Sequence, residues 1–269
     1  MLAGEADADL LGYEAEALYL AKDFDRALSE TKSARVRFPD DPDLAGLEAA
    51  ILRSRGDMKA ALAIVDAMRE RAPQDARVLA QVAQFYQRAK RYADAESALR
   101  RSLELKPKDV AILFQLGAVL EREKKLDEAE VVFREALTLE PESAPVLNYL
   151  GYMNVDRGVR VEEGTRFIEK AVALDPENGA YLDSLGWAQY RAGRLEAAES
   201  NVRKALLKQP NNAVVADHLA DILAKRGKHA EALDLWKRAL VAEDEDGELD
   251  RVKVEAKVRE AQTGLAKNP

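Results

Sequence analysis

GAYLDSLGWAQYRAGRLEAAESNVRKALLKQPNN, residues 179–212, reads as a helix, a tight turn at Gly193, and a second helix that packs back on the first and is closed by Pro210. Leu182 and Leu185 fill the apolar side of the first helix, and the small residue Gly186 stands between them and the turn. Two antiparallel helices approach closely only where Cβ is small, so Gly186 and Ala198 mark where the pair meets. Gly186→Leu is expected to cost about 1–3 kcal/mol by overpacking.

The same layout recurs along the chain. From Gly186, steps of 12, 16, 19 and 24 reach Ala198, Val202, Ala205 and Pro210. From Gly117 they reach Ala129, Phe133, Ala136 and Pro141; from Ala83, Ala95, Leu99, Ser102 and Pro107. From Ala49 they reach Ala61, Val65, Met68 and Pro73; from Ala15, Ala27, Thr31, Ala34 and Pro39. Ala220 leads to Ala232, Trp236, Ala239 and Asp244, without the final proline, and Gly151 leads with one extra residue to Gly164, Ile168, Ala171 and Pro176. The anchors are therefore 34 residues apart, once 35.

That period and ladder resemble the tetratricopeptide repeat (TPR) over residues 8–246. The resemblance implies an all-α fold: a right-handed TPR superhelix, or α-solenoid, of about seven helix-turn-helix repeats. The repeats are expected at 8–41, 42–75, 76–109, 110–143, 144–178, 179–212 and 213–246. Residues 1–7 are expected as an N-terminal stub left by truncation, and 247–269 as a C-terminal capping helix and tail. In the cap, Val254, Val258, Ala261 and Leu265 form an apolar stripe while Lys253, Lys257 and Arg259 keep the other side wet. The run Glu243-Asp244-Glu245-Asp246 puts negative charge at its N-terminus, where the helix dipole favours it.

Punctuation supports this register. Asp7, Asp41, Asp75, Asp109, Ser143, Asn178, Asn212 and Asp246 precede successive first helices, and each is a residue type whose side chain accepts an orphan N–H. Pro42 and Pro145 fall in first turns, where a missing N–H costs little. Gly56, Gly158, Gly193 and Gly227 fall where a left-handed residue ends a first helix.

Composition narrows the function classes. A net charge of −8 on 269 residues disfavours nucleic-acid binding, which needs a basic footprint. The absence of cysteine excludes disulfides and thiolate chemistry and leaves the redox compartment open. No apolar run reaches the roughly 18 residues of a spanning helix, and Met1–Glu5 lacks the layout of a secretory signal. The histidines are His218 and His229, with no glycine-rich phosphate loop, so no nucleophile–base–orienter set assembles. Asp217, His218 and Asp221 share a helix and could touch a metal, but one histidine with carboxylates on a solvated helix is common by chance. The reading is not an enzyme, with no cofactor and no metal; His229 reads as a surface residue opening a second helix.

In the TPR family the first helices line the concave face. The corresponding positions are bland in the second and third repeats: Asp43, Gly46, Ala50 and Arg53, then Arg77, Ala80, Gln84 and Gln87. Further on they hold Phe114, Asn148, Tyr152, Asp183, Trp187, Tyr190, Asp217 and Asp221. Rings beside carboxylates give large contact area at small entropic cost, which makes these eight the expected partner contacts. The alternative is that Tyr152 and Trp187 only pack against adjacent helices. Some TPR domains clamp a C-terminal carboxylate with lysine and asparagine; Asp183 with Trp187, and Asp217 with Asp221, stand at those positions here, so the ligand is expected to be apolar or basic rather than acidic.

The strings LNYLGYMNVDRG (147–158), GAYLDSLGWAQYRAGRLEAAE (179–199) and DHLADILAKRGKHAEALDLWKRAL (217–240) are similar to the C-terminal repeats of bacterial outer-membrane TPR lipoproteins. Members of that group scaffold periplasmic carboxyl-terminal-processing proteases together with cell-wall hydrolases. The resemblance implies a periplasmic, outer-membrane-associated scaffold or adaptor; a lipid-acceptor cysteine and a signal segment are absent, which fits a truncated chain or a cytoplasmic one. The other readings are a self-associating assembly protein and the regulatory TPR portion of a larger enzyme.

Overall fold

A computed structural model describes residues 2–242, 244 and 249–267, with side chains from residue 7 to residue 264 of these. Every regular element among them is an α-helix. The chain divides into two compact units, Met1–Leu139 and Glu140–Pro269.

The first unit holds α1 (Leu2–Leu20), α2 (Phe24–Arg37), α3 (Pro42–Ser54), α4 (Met58–Arg71), α5 (Ala76–Arg88), α6 (Tyr92–Leu105), α7 (Val110–Arg122) and α8 (Leu126–Leu139). The second holds α9 (Ala144–Arg157), α10 (Val161–Leu174), α11 (Gly179–Arg191), α12 (Leu195–Lys208), α13 (Ala213–Lys225), α14 (His229–Val241) and α15 (Arg251–Lys267). Within each unit every helix packs on the next, and the odd-numbered first helices of successive pairs also touch. A row of first helices therefore runs along each unit.

Each first helix starts where its cap dictates. The side chains of Asp41, Asp75, Asp109, Asn178 and Asn212 each accept two backbone N–H groups of the first turn. Ser143 stands at the N-cap of α9 without a side-chain bond. Asp7 corrects the expectation: α1 begins at Leu2, so Asp7 lies inside the helix, as does the rest of the expected stub from residue 2 on. Glu243, Glu245 and Asp246 lie outside the described residues, as does the side chain of Leu265; Asp244 accepts from the Leu249 N–H at 3.2 Å. The carboxylate that caps α15 is Asp250, which accepts from the Lys253 N–H at 3.1 Å.

First helices end on a left-handed residue. Gly56, Gly158, Gly193 and Gly227 take φ of 85°, 69°, 75° and 79°. In the first, third and fourth pairs lysine holds the same place: Lys22, Lys90 and Lys124 take φ of 60°, 59° and 64°. The closure is common to both: Asp57 N–H reaches Leu52 O and Arg91 N–H reaches Tyr86 O, so the Schellman bonds hold even a side chain that disfavours the conformation. The extra residue of the fifth repeat falls in this turn, where Arg160 adds a second left-handed residue, φ 44°, after Gly158.

Small anchors are required by geometry. A Cβ on Gly186 would stand 2.3 Å from Val202 Cγ2, one on Gly151 2.6 Å from the Gly164 carbonyl oxygen, and one on Gly117 2.5 Å from the Phe133 ring. The described part of the cap seats Val254 in the last core cluster, with Val258 and Ala261 packed against it.

Candidate functional site

The second unit gathers six of the eight expected contacts around one histidine. His218 on α13 is buried, and its Nδ1 lies 2.9 and 3.1 Å from the two carboxylate oxygens of Asp183 on α11. With Nδ1–H donating to the carboxylate, the ring orientation is fixed. Burial pulls the imidazole pKa down, but the charge of Asp183, its hydrogen bond, and the charges of Asp217 and Asp221 outweigh it, so the pKa is raised. The Trp187 indole stacks on the imidazole with centroids 4.2 Å apart and 17° between planes. Tyr190 stacks on the other part of the array, 5.0 Å from Trp187, and the Tyr152 ring stands tilted 6.3 Å from His218. Asp156 accepts from Trp187 Nε1 at 3.2 Å and so holds the indole plane.

Asp183 is thus no surface contact. It is 7% exposed and spent on His218, a change from the expected groove position. Asp217 and Asp221 are bridged by Lys257 of α15, whose Nζ lies 2.8 Å from an oxygen of each. Asp221 also accepts from Trp236 Nε1 at 3.0 Å. Burial, with the charge of Asp221 second, raises the Asp217 pKa despite Lys257. The carboxylates expected to draw a basic ligand are therefore largely answered from within the chain. Asn148 sits on α9 with its amide oxygen buried. Phe114 belongs to the first unit, where its ring packs 6.1 Å from Phe133. What remains open on the second unit's row of first helices is half-buried aromatic surface, Tyr152, Trp187 and Tyr190, rimmed by exposed Asp156 and Arg191.

No group of three or more His, Cys, Asp or Glu side chains among the described residues could hold a metal ion. Asp217, His218 and Asp221, which share a helix, make the pairs just described. His229 opens α14 and is exposed. In the first unit a cleft of about 490 Å³ is lined by Asp66, Arg69, Leu79, Tyr86 and Arg91, which sequence reasoning missed. The Tyr86 hydroxyl donates to Asp66 at 2.5 Å, and burial, helped by that bond, pushes its pKa up to about 12. Arg91 pairs with both Asp66 and Asp94.

The family model described as the Cilia and flagella-associated protein 70 C-terminal domain matches residues 2–256. A curated relative, the TPR repeat-containing protein PA4667 of Pseudomonas aeruginosa, is 42% identical over 74 residues, which are 28% of this chain and 12% of that protein's length. Among solved structures, a tetratricopeptide repeat protein from Parabacteroides merdae superposes with TM-score 0.75 at 15% identity, over 95% of this chain and 98% of that one. Yeast Tom70 superposes with TM-score 0.67 at 19% identity, over 96% of this chain and 54% of that one. At such identities the structural likeness speaks for the fold, an all-α helical repeat.

Proposed function

Because the chain belongs to the tetratricopeptide-repeat family whose model is described as the Cilia and flagella-associated protein 70 C-terminal domain, we propose that it is a non-enzymatic scaffold holding a partner protein or peptide on its row of first helices. The observation that carries this reading is the stack Tyr190–Trp187–His218 at 5.0 and 4.2 Å. Rings locked by Asp156 and Asp183 lose little freedom on binding, which is how a hot spot is built. With Asp217 and Asp221 answered by Lys257, and Asp156 by Arg191 at 3.6 Å, the segment it takes is apolar or aromatic.

The finer reading is a scaffold for proteolysis in the cell envelope. Its support is the likeness of residues 147–158, 179–199 and 217–240 to outer-membrane TPR lipoproteins, together with one bacterial relative. The test is capture from separate envelope and cytosolic extracts by wild type and by a Trp187→Ala, Tyr190→Ala variant of unchanged helicity. A protease or cell-wall hydrolase held from the envelope by wild type alone supports both levels. Partners held equally by both proteins remove the aromatic face from the reading.

A further inference from the structure

The polar groups around the aromatic face of the second unit are spent unevenly. Each carboxylate beside the rings already holds a donor of its own chain. Asp183 is bonded to His218, and Asp217 and Asp221 to Lys257, with Trp236 also on Asp221. Asp156 holds Trp187 and stands 3.6 Å from Arg191. A ligand N–H laid over the rings would therefore give up its water and meet only acceptors already engaged. A donor, by contrast, is left open. Tyr190 is half-buried, its hydroxyl pKa is raised by burial first and by the charge of Asp221 second, and no described residue is hydrogen-bonded to that hydroxyl. The segment that suits this face offers carbonyls without N–H groups, and proline is the residue built that way.

Spacing points the same way. Tyr152 and Trp187 each follow an anchor glycine, Gly151 and Gly186, by one residue, so they are equivalent positions of neighbouring first helices. α9 and α11 touch, and the axes of packed helices lie about 8–10 Å apart. A polyproline II helix rises about 9 Å over its three-residue turn, so every third residue keeps step with the row. Its fixed φ leaves little freedom to lose on docking, and its pyrrolidine rings are apolar enough to pack on half-buried aromatic surface. Charged segments fit less well: an acidic one meets Asp156 at the rim, and a basic one has to compete with Lys257 and Arg191 for their carboxylates.

We infer that the aromatic face of the second unit is a docking site for a proline-rich segment of a partner protein. The segment lies in the polyproline II conformation along the row of first helices, and the Tyr190 hydroxyl donates to one of its carbonyls. This rests on the scaffold reading above and adds to it the chemistry of the segment held.

The probes are acetylated, amidated nonaproline and, with the same ends, a nonapeptide repeating Ala-Leu-Ser, which restores the N–H groups. Binding to the full chain is followed by NMR at the indole N–H resonances of its two tryptophans, that of Trp187 being the one missing in Trp187→Ala. The expected result is a saturable shift of the Trp187 resonance with nonaproline and binding roughly tenfold weaker with the Ala-Leu-Ser peptide. Tyr190→Phe, which loses only the hydroxyl, should keep the backbone amide spectrum and weaken nonaproline binding about threefold to tenfold. No shift at millimolar nonaproline would overturn the inference and leave the scaffold reading to its own capture test. Equal binding of the Ala-Leu-Ser peptide would also overturn it, while keeping the aromatic face as a binding surface. Undiminished binding by Tyr190→Phe would overturn it too, since the match of donor to carbonyl would then count for nothing.

Discussion

His218 Nδ1 and Asp183 Oδ2 stand 2.9 Å apart between α11 and α13, with both side chains about nine-tenths buried. The raised pKa of His218 makes this contact a pH-dependent part of the fold. Burial works against the charged ring, and Asp183, Asp217 and Asp221 outweigh it, so the folded value lies above the ordinary 6.5. A group whose folded pKa is raised adds stability that is complete below the unfolded value and fades as pH rises through the folded one. The second unit should therefore lose stability as pH climbs from about 6.5 into the alkaline range. The protein has two histidines, so their ring-proton titrations are read directly by NMR. A midpoint for His218 at or below 6.5 would sink the idea. His218→Gln should flatten the slope of melting temperature against pH in the same window.

How much of this could be read from the chain depends on whether a contact obeys the repeat. The anchor ladder and the caps at Asp41, Asp75, Asp109, Asn178 and Asn212 are local, and each was legible because the residue type and its own turn decide it. Lys22, Lys90 and Lys124 were not legible as left-handed residues, since a preference worth about 1–2 kcal/mol is overruled when the packed pair closes the turn. The Asp183–His218 pair escaped for another reason. Its members are 35 residues apart, one repeat, and lie side by side on neighbouring parallel helices. That interval was available as a signal, but composition alone left Asp183 equally free to face solvent.

Gly186→Ala should destabilise the second unit by about 1–3 kcal/mol, because the new methyl would stand 2.3 Å from Val202 Cγ2 and the two helices would have to part. The cause is checked by a double-mutant cycle with Val202→Ala, which removes the clashing methyl. Urea unfolding should show a coupling of about 1 kcal/mol, the double variant being more stable than the two single losses predict. Strict additivity would mean that the close approach at Gly186 is not what sets the cost.

Lys90→Gly should stabilise the first unit by about 0.5–1 kcal/mol. Lys90 holds φ 59° and is exposed, and glycine adopts that conformation without Cβ strain. Gly193→Ala, at φ 75° with open space around the position, should cost about 1 kcal/mol through backbone strain alone. Thermal melts of the two variants should move in opposite directions. A shared sign would show that the turn is not closed in the left-handed form.

Lys257 ties α15 to the row of first helices by lying between Asp217 and Asp221, four residues apart on α13. Lys257→Ala leaves two partly buried carboxylates facing each other without the ammonium that bridges them. The loss should be about 1–3 kcal/mol, and amide exchange in α15 should accelerate before that of α13. Acid should reverse part of the damage. The Asp217 pKa is raised even with Lys257 in place, by burial first and the charge of Asp221 second, and removing the cation must raise it further. Protonating Asp217 then relieves the repulsion, so the gap in stability between variant and wild type should narrow as pH falls from 7 towards the raised carboxylate value. A gap that stays constant, or widens in acid, would show that Lys257 holds α15 by packing its methylenes on Trp236 rather than by neutralising the pair.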